Sequence, residues 1–271
     1  MSVRKHYKFQ DVTGIKVGRV DQGINTNFIV YQLNGTIVDA GPSNQWKYVK
    51  GFLDQYDVSQ LLITHHHEDH SGNANSIAKQ YGIMPKAPLL AQDKLRTGYK
   101  VPFIQKMVWG GPVPVETQPL ADVEYLSDGT KIIPVHTPGH AKDLTCMHIP
   151  DRGYFFSGDM YIAPKLKLLR SDENLKQLLD SIQHVLTLDF DTILCPHGGV
   201  IENGKKQLKL KLDNIVALAH QAQELSKKGL SLEEVVLELL GKEDMSSKLT
   251  GGNFSKRNLI SESLPLDLSV Y

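Results

Sequence analysis

The chain has 271 residues with 30 Lys plus Arg against 30 Asp plus Glu, so its formal net charge is zero and a strongly electrostatic binder of nucleic acid or of a membrane surface is disfavoured. Its 41% hydrophobic content is ordinary for a globular protein, and the length suffices for one large α/β domain or for two small ones. No apolar run approaches the roughly 18–20 residues that span a bilayer, the amino-terminal Met-Ser-Val-Arg-Lys-His lacks an apolar signal core, and Cys146 and Cys195 read as buried thiols, which together suit a reducing cytoplasm.

In chain order, the first part reads as a β meander: strands over Ile15–Val20 and Phe28–Leu33, a type I′ turn at Asn34-Gly35, then Thr36–Asp39. Asp39-Ala40-Gly41 ends that strand in a tight loop, where an aspartate is ordinary turn chemistry. Gln45–Tyr56 has Trp46, Val49, Phe52 and Leu53 spaced for one helical face. Gln60–Ile63 reads as a short buried strand, and Gly72–Tyr81 as a helix.

Between them lies Thr64-His65-His66-His67-Glu68-Asp69-His70-Ser71-Gly72. Imidazoles and carboxylates crowded this closely carry a large desolvation or repulsion penalty unless something compensates. A divalent cation does so, and nitrogen plus oxygen donors suit zinc, iron and related metals. On an extended segment His65 and His67 share a side while His66 points away. Asp69 and His70, past the turn, face a neighbouring point, so one segment serves two cations about 3.5–4 Å apart.

Further along, Ala87–Ala91 reads as a strand. Gln92–Gln118, with Phe103, Met107, Val108 and Trp109 before Gly110-Gly111-Pro112, reads as an irregular connection that serves as a lid or wall over a substrate cleft. A second meander starts at Val123, with strands over Lys131–Val135, Asp143–Ile149, Tyr154–Phe156 and Thr192–Cys195. These strands lead into His136-Thr137-Pro138-Gly139-His140, Ser157-Gly158-Asp159 and Pro196-His197-Gly198. The design recurs: an apolar strand, a Gly or Pro turn, then a side chain able to bind a metal. Helices follow at Ser171–Leu188, Lys206–Ser226, Ser231–Leu240 and Asn253–Glu262, with an extended end over Leu264–Tyr271. The basic run Lys205–Lys211 reads as a solvated helix face. Residues 1–271 are expected to form a single domain, its motifs between 14 and 199 and its helical region between 200 and 271.

His65-x-His67-x-Asp69-His70, followed in order by Thr-Pro-Gly-His140, Ser-Gly-Asp159 and Pro-His197-Gly, resembles the signature of the metallo-β-lactamase-fold metallohydrolases. The resemblance covers roughly Gly14–Gly199 and is nearest the glyoxalase II and lactonase branch. It implies a four-layer αββα sandwich with two divalent metals, zinc first, iron or manganese otherwise, at one edge. His65, His67 and His140 would hold the first metal, Asp69, His70 and His197 the second, with Asp159 bridging. Asp39 would lie beneath the metals and orient a ligand. A metal-bridged hydroxide would attack a small ester, thioester or lactone, with Asp69 orienting it. Tyr161 reads as a packing residue or as a donor to the developing oxyanion. The same resemblance keeps open an endoribonuclease or phosphodiesterase, which the lack of a basic, aromatic-interleaved patch disfavours. It also keeps open a mononuclear iron oxidoreductase like the persulfide dioxygenases, which the complete donor set disfavours. The implied partner is a small molecule; a membrane is not expected, nucleic acid is disfavoured, and a homodimer is left open.

Overall fold

The computed structural model describes residues 3–19 and 26–271; Val20, placed at the end of a strand by the sequence, lies outside them. The described residues divide into two compact units: Met1–His136 with Asp143–Ile162 and Asp189–Asn203, and Thr137–Lys142 with Ala163–Leu188 and Gly204–Tyr271.

The first unit contains two large sheets. One runs in the order β1 (Val3–Phe9), β2 (Val12–Gly18), β3 (Phe28–Leu33), β4 (Thr36–Val38), β5 (Gln60–Leu62), β6 (Lys86–Ala87) and β7 (Gln118–Pro119). Its first four strands form an antiparallel meander, and β4 to β7 are parallel. Asn34 and Gly35 both take positive φ, 47° and 77°, as the predicted hairpin turn requires. The returns between the parallel strands carry α1 (Trp46–Leu53), α2 (Glu68–Ser71), α3 (Ala74–Tyr81), α4 (Leu89–Thr97) and α5 (Phe103–Trp109). The other sheet contains β8 (Glu124–Tyr125), β9 (Lys131–His136), β10 (Thr145–Ile149) and β11 (Tyr154–Phe156). In the second unit β12 (Leu169–Arg170) comes next in the chain, before β13 (Thr192–Cys195) and β14 (Gly199–Ile201) complete this sheet beside β11.

Alternation along the strands explains the layering. Phe28 and Val30 of β3 enter a core with Val49 and Phe52 of α1 and Ala74 and Ile77 of α3. Ile29, Tyr31 and Leu33, pointing the other way, pack with Met147, Ile149 and Phe156 of the second sheet. Both faces of β3 are thus covered, which is why six successive side chains are buried. Each such side chain contributes about 1.5–3 kcal/mol. Cys146 and Cys195 are buried thiols, as expected.

The second unit is helical: α6 (Leu175–Leu186), α7 (Gly204–Lys227), α8 (Leu232–Leu240), α9 (Met245–Leu249) and α10 (Lys256–Ser263), with β12 paired to β15 (Phe254–Ser255). Asn174 caps α6 by accepting from Gln177 N–H at 2.8 Å, and Ser231 with Glu234 makes the predicted capping box of α8. Ala222, Val235, Val236 and Ile260 form its core.

Four expectations are corrected, the first being the extended end, where Leu268–Val270 form a 3-10 turn instead. Ala87–Ala91 is a strand only at Lys86–Ala87; Pro88 ends it and opens α4, which buries Ala91 while Leu89 and Leu90 are 72% and 62% exposed. Gln92–Gln118 is irregular only in part, since α4 continues to Thr97 and α5 forms beyond Pro102, while 98–102 and 110–117 have no helix or strand. Lys211 is buried rather than solvated, because it shares the inward face of α7 with Leu208, Leu212 and Ile215. Among the described residues, no helix is long and apolar enough to cross a membrane.

One turn in the second unit is sterically exacting. Gly139 has φ 140°, and a Cβ there would sit 2.5 Å from the backbone N and Cα of Leu178. Gly139→Ala is therefore expected to destabilise the protein by about 2–4 kcal/mol, overpacking and backbone strain acting together. Urea denaturation tests this; an unchanged midpoint would show that the turn adapts.

Candidate metal centre

The first unit gathers its candidate ligands where strands end. β4 leads to Asp39, β5 to Thr64 and the histidine loop, β11 through the 3-10 turn Gly158–Met160 to Asp159, and β13 to His197. Asp39 has φ 60°, rare for a residue with a Cβ, and visible contacts offset the strain. Its carboxylate accepts from Thr64 N–H at 2.7 Å, from Thr64 Oγ1 at 2.9 Å and from His70 Nδ1 at 2.7 Å. Asp39 thus lies against the histidine loop and fixes the orientation of Thr64 and His70.

With Nδ1 of His70 hydrogen-bonded to Asp39, Nε2 is the nitrogen left to face the site. That atom is buried with no hydrogen-bond partner among the described residues. Yet it lies 3.2 Å from Asp159 Oδ1 and 4.0 Å from Asp69 Oδ2. His197 repeats the arrangement. Its Nδ1 donates to Asn27 O at 2.8 Å, while Nε2 lies 3.3 Å from Asp159 Oδ1 and 3.4 Å from Asp69 Oδ2. Phe28 fixes both rings edge-on, with centroids 4.8 Å from His70 and 5.4 Å from His197. Ring nitrogens and carboxylate oxygens packed this closely in a buried site require positive charge between them, from protons or from a cation. His65, His70 and Asp159, and likewise Asp69, His70 and His197, each offer donor atoms within 4.8 Å of one another. The donor chemistry fits a divalent cation.

Side chains of the histidine loop alternate. His65 Nε2 and His67 Nδ1 face each other at 3.0 Å. His66 turns away and is held by Asp143, whose carboxylate accepts from His66 N–H at 2.8 Å and meets Nδ1 at 2.9 Å. Lys94 Nζ lies 3.0 Å from His66 Nε2, and Tyr99 donates to His66 O at 2.8 Å. Nothing in the sequence singles out Asp143; an acid three residues beyond His140 carries no pattern that names its partner.

His140 lies in the second unit, on the turn Thr137–Lys142, with Nδ1 2.5 Å from Glu173 Oε1. Tyr161 follows Asp159 and is buried, and burial pushes its phenol above the ordinary value. The segment read as a lid is pinned at one end. Ser43 donates to Gly111 O at 3.0 Å, Asn44 donates to Val108 O at 2.7 Å, and the Trp109 ring lies 6.0 Å from that of His197. Phe103 and Met107 remain 75% and 53% exposed. His136 is exposed, His148 lies on β10, and His184 and His220 lie on helices, as the sequence suggested.

Residues 20–197 match the sequence pattern described as the Metallo-beta-lactamase superfamily. The chain belongs to that superfamily. It is 25% identical over 187 residues to the Beta-lactamase-like protein 2 homolog of Drosophila melanogaster, covering 67% of this chain and 60% of that one. It is 24% identical over 196 residues to an Atrochrysone carboxyl ACP thioesterase of Aspergillus fumigatus, covering 71% of this chain and 56% of that one. The matches therefore span less than two thirds of these relatives. Among solved structures, a metallo-beta-lactamase family protein of Thermus thermophilus superposes with TM-score 0.59 at 16% identity, covering 97% of this chain and 90% of that one. An archaeal superfamily protein of Sulfolobus tokodaii superposes with TM-score 0.58 at 19% identity, covering 70% and 80%. These likenesses carry the fold, the α/β sandwich expected from the motifs.

Electrostatics of the site generate a pH prediction. Burial pulls His70 and His197 down, but Asp39, Asp159 and Asp69 around His70, and Asp159 and Asp69 around His197, outweigh it and hold both well above the ordinary 6.5. Burial pushes Asp69 up, but His70 and His197 hold it below the ordinary 3.8. A raised imidazole contributes stability that is complete below 6.5 and is lost as pH climbs through the raised value. A lowered carboxyl contributes stability above 3.8 that is lost as pH falls through the lowered value. Chelator-treated protein should therefore melt at progressively lower temperature as pH is raised from 6.5, and added zinc should recover more at the higher pH. Scanning calorimetry across that range checks it; a Tm that is flat or rising would contradict the assigned charges.

Proposed function

We propose that this chain is a binuclear metal-dependent hydrolase acting on a small ester, thioester or lactone. The observation that carries the reading is the convergence of His70 Nε2, His197 Nε2, Asp69 and Asp159 in a buried site, with the Nδ1 of both histidines already committed to an acceptor. Asp69, His70 and His197 are assigned to one cation, and Asp159 to the bridge. His65, His67 and His140 are assigned to the other, on the facing His65 Nε2 and His67 Nδ1 and on the Thr-Pro-Gly-His motif. Zinc suits this donor set best. Two divalent cations, when bound, supply Lewis acidity and a water acidified to near neutrality.

The protein's own groups then do the rest. Asp39 and the Asn27 carbonyl keep protons on the Nδ1 atoms of His70 and His197, so each Nε2 remains a lone-pair donor. Asp69, held ionised at neutral pH, would orient the attacking water. Tyr161 stays protonated and is assigned as a donor toward the oxyanion of the substrate carbonyl. No serine or cysteine nucleophile is needed. The thioester choice draws on the named thioesterase of Aspergillus fumigatus, and the cytoplasmic setting on the buried Cys146 and Cys195 thiols.

Two measurements test this. A panel of thioesters, lactones, phosphodiesters and RNA should show turnover of the acyl substrates alone; phosphodiester cleavage without acyl cleavage would shift the assignment to a nuclease. Asp159→Ala should lower kcat by at least about 10²-fold, as expected for lost electrostatic stabilisation, and lower the bound-metal content. Full activity in that variant would overturn the two-metal reading.

A further inference from the structure

We propose that Glu173, at the mouth of α6, is a positioning residue that fixes the tautomer of His140 and so makes its Nε2 a metal donor. This rests on the assignment of His140 as a ligand. Neither the superfamily match nor the relatives assign any role to Glu173.

Both side chains are mostly buried, each 11% exposed. Glu173 Oε1 meets His140 Nδ1 at 2.5 Å, a charge-assisted contact. Its other oxygen, Oε2, accepts from Arg170 N–H at 3.1 Å. The turn beneath is equally fixed. Asn174 N–H donates to Gly139 O at 2.8 Å, and Ser181 Oγ donates to Pro138 O at 2.7 Å. The start of α6, just beyond Glu173, is thereby locked to the backbone that carries His140.

Two accepting oxygens on one side chain decide the chemistry. A neutral imidazole has one N–H and one lone pair. With Glu173 accepting at Nδ1, the proton stays there and the lone pair is confined to Nε2. His70 with Asp39, and His197 with the Asn27 carbonyl, obey the same rule. The rule therefore holds for three histidines from separate stretches of chain, and in each the acceptor is supplied by a residue far away in sequence.

An isosteric amide breaks this. Glutamine has one accepting oxygen and one NH₂. If its oxygen serves Arg170 N–H, the NH₂ faces Nδ1 and favours the tautomer with the proton on Nε2, which cannot bind a cation. If its oxygen serves His140, the NH₂ abuts the Arg170 N–H. Only a carboxylate satisfies both donors at once.

The experiment compares wild type, Glu173→Gln and Asp172→Asn, each with zinc against a competing chelator and each loaded with cobalt(II) for its absorption spectrum. Asp172 binds Arg170 and is influenced by His140, so its variant removes nearby negative charge without touching the Nδ1 contact. Glu173→Gln is expected to weaken the binding of one of the two metals by about 10–100-fold and to alter the cobalt spectrum. Its chelator-treated form should remain folded, and Asp172→Asn should change little. A Glu173→Gln variant that binds both metals like wild type overturns the inference alone. A wild-type protein that binds no metal overturns the hydrolase reading and this inference with it. Should Glu173→Gln fail to fold, the wild type still decides: nitrogen NMR of its metal-free form, at a pH where the imidazole is neutral, should show the single ring proton of His140 on Nδ1, and that proton on Nε2 would overturn the proposal.

Discussion

A histidine can give a lone pair to a cation through one ring nitrogen only if the other nitrogen is held as a donor. That requirement shapes much of this protein's interior. The carboxylate of Asp39 lies under the histidine loop and binds Thr64 at both backbone and side chain, as well as His70 at Nδ1. It therefore ties the end of β4 to the first residue of the loop and to a candidate ligand six residues on. A residue with a Cβ held at φ 60° is unfavourable in isolation. Here three hydrogen-bond donors converge on its carboxylate in a buried setting, and hydrogen bonds to a charged group are the strong ones.

The sandwich makes such convergence ordinary. Side chains along the buried strands are taken up by the two cores, as the opposite destinations of Val30 and Tyr31 show. Chemistry is left to the positions just beyond each strand, where the backbone turns. Thr64, Ser157 and Pro196 each begin such a turn, and their neighbours Leu62, Phe156 and Leu194 anchor the strands in one shared core. Rigid strands with short exits hold the donor atoms in place better than loops would.

How much of this is legible in the sequence depends on the kind of signal. The donor motifs are local: His65-x-His67-x-Asp69-His70 can be read from spacing alone, and alternation along the loop turns His66 away, toward Asp143. Helices with a strong amphipathic stripe are equally legible, as Leu175, Leu178, Leu179 and Ile182 show in α6. Ala87–Ala91 fails for a physical reason: five small and apolar residues suit either state, and Pro88 decides by ending the strand and opening a helix. Lys211 fails because a charge run says nothing about which of its members falls on the inward stripe. Glu173 and Asp143 are silent in the sequence because an acceptor for a ring N–H is defined by a partner 33 or 77 residues away.

That asymmetry has a chemical origin. A metal needs several donors at one point, and one loop supplies four of the seven candidates here, the others standing in recognisable turns at strand ends. An acceptor for the far side of each imidazole must come from behind the loop, where other strands and helices pass, so acceptors scatter. Asn27 makes the point most sharply, since its contribution to His197 is a backbone carbonyl that any residue would offer. What selects position 27 is the path of the chain entering β3, beside the Ile29 N–H that donates to Pro196 O at 2.7 Å. The fold, rather than residue identity, supplies that half of the site.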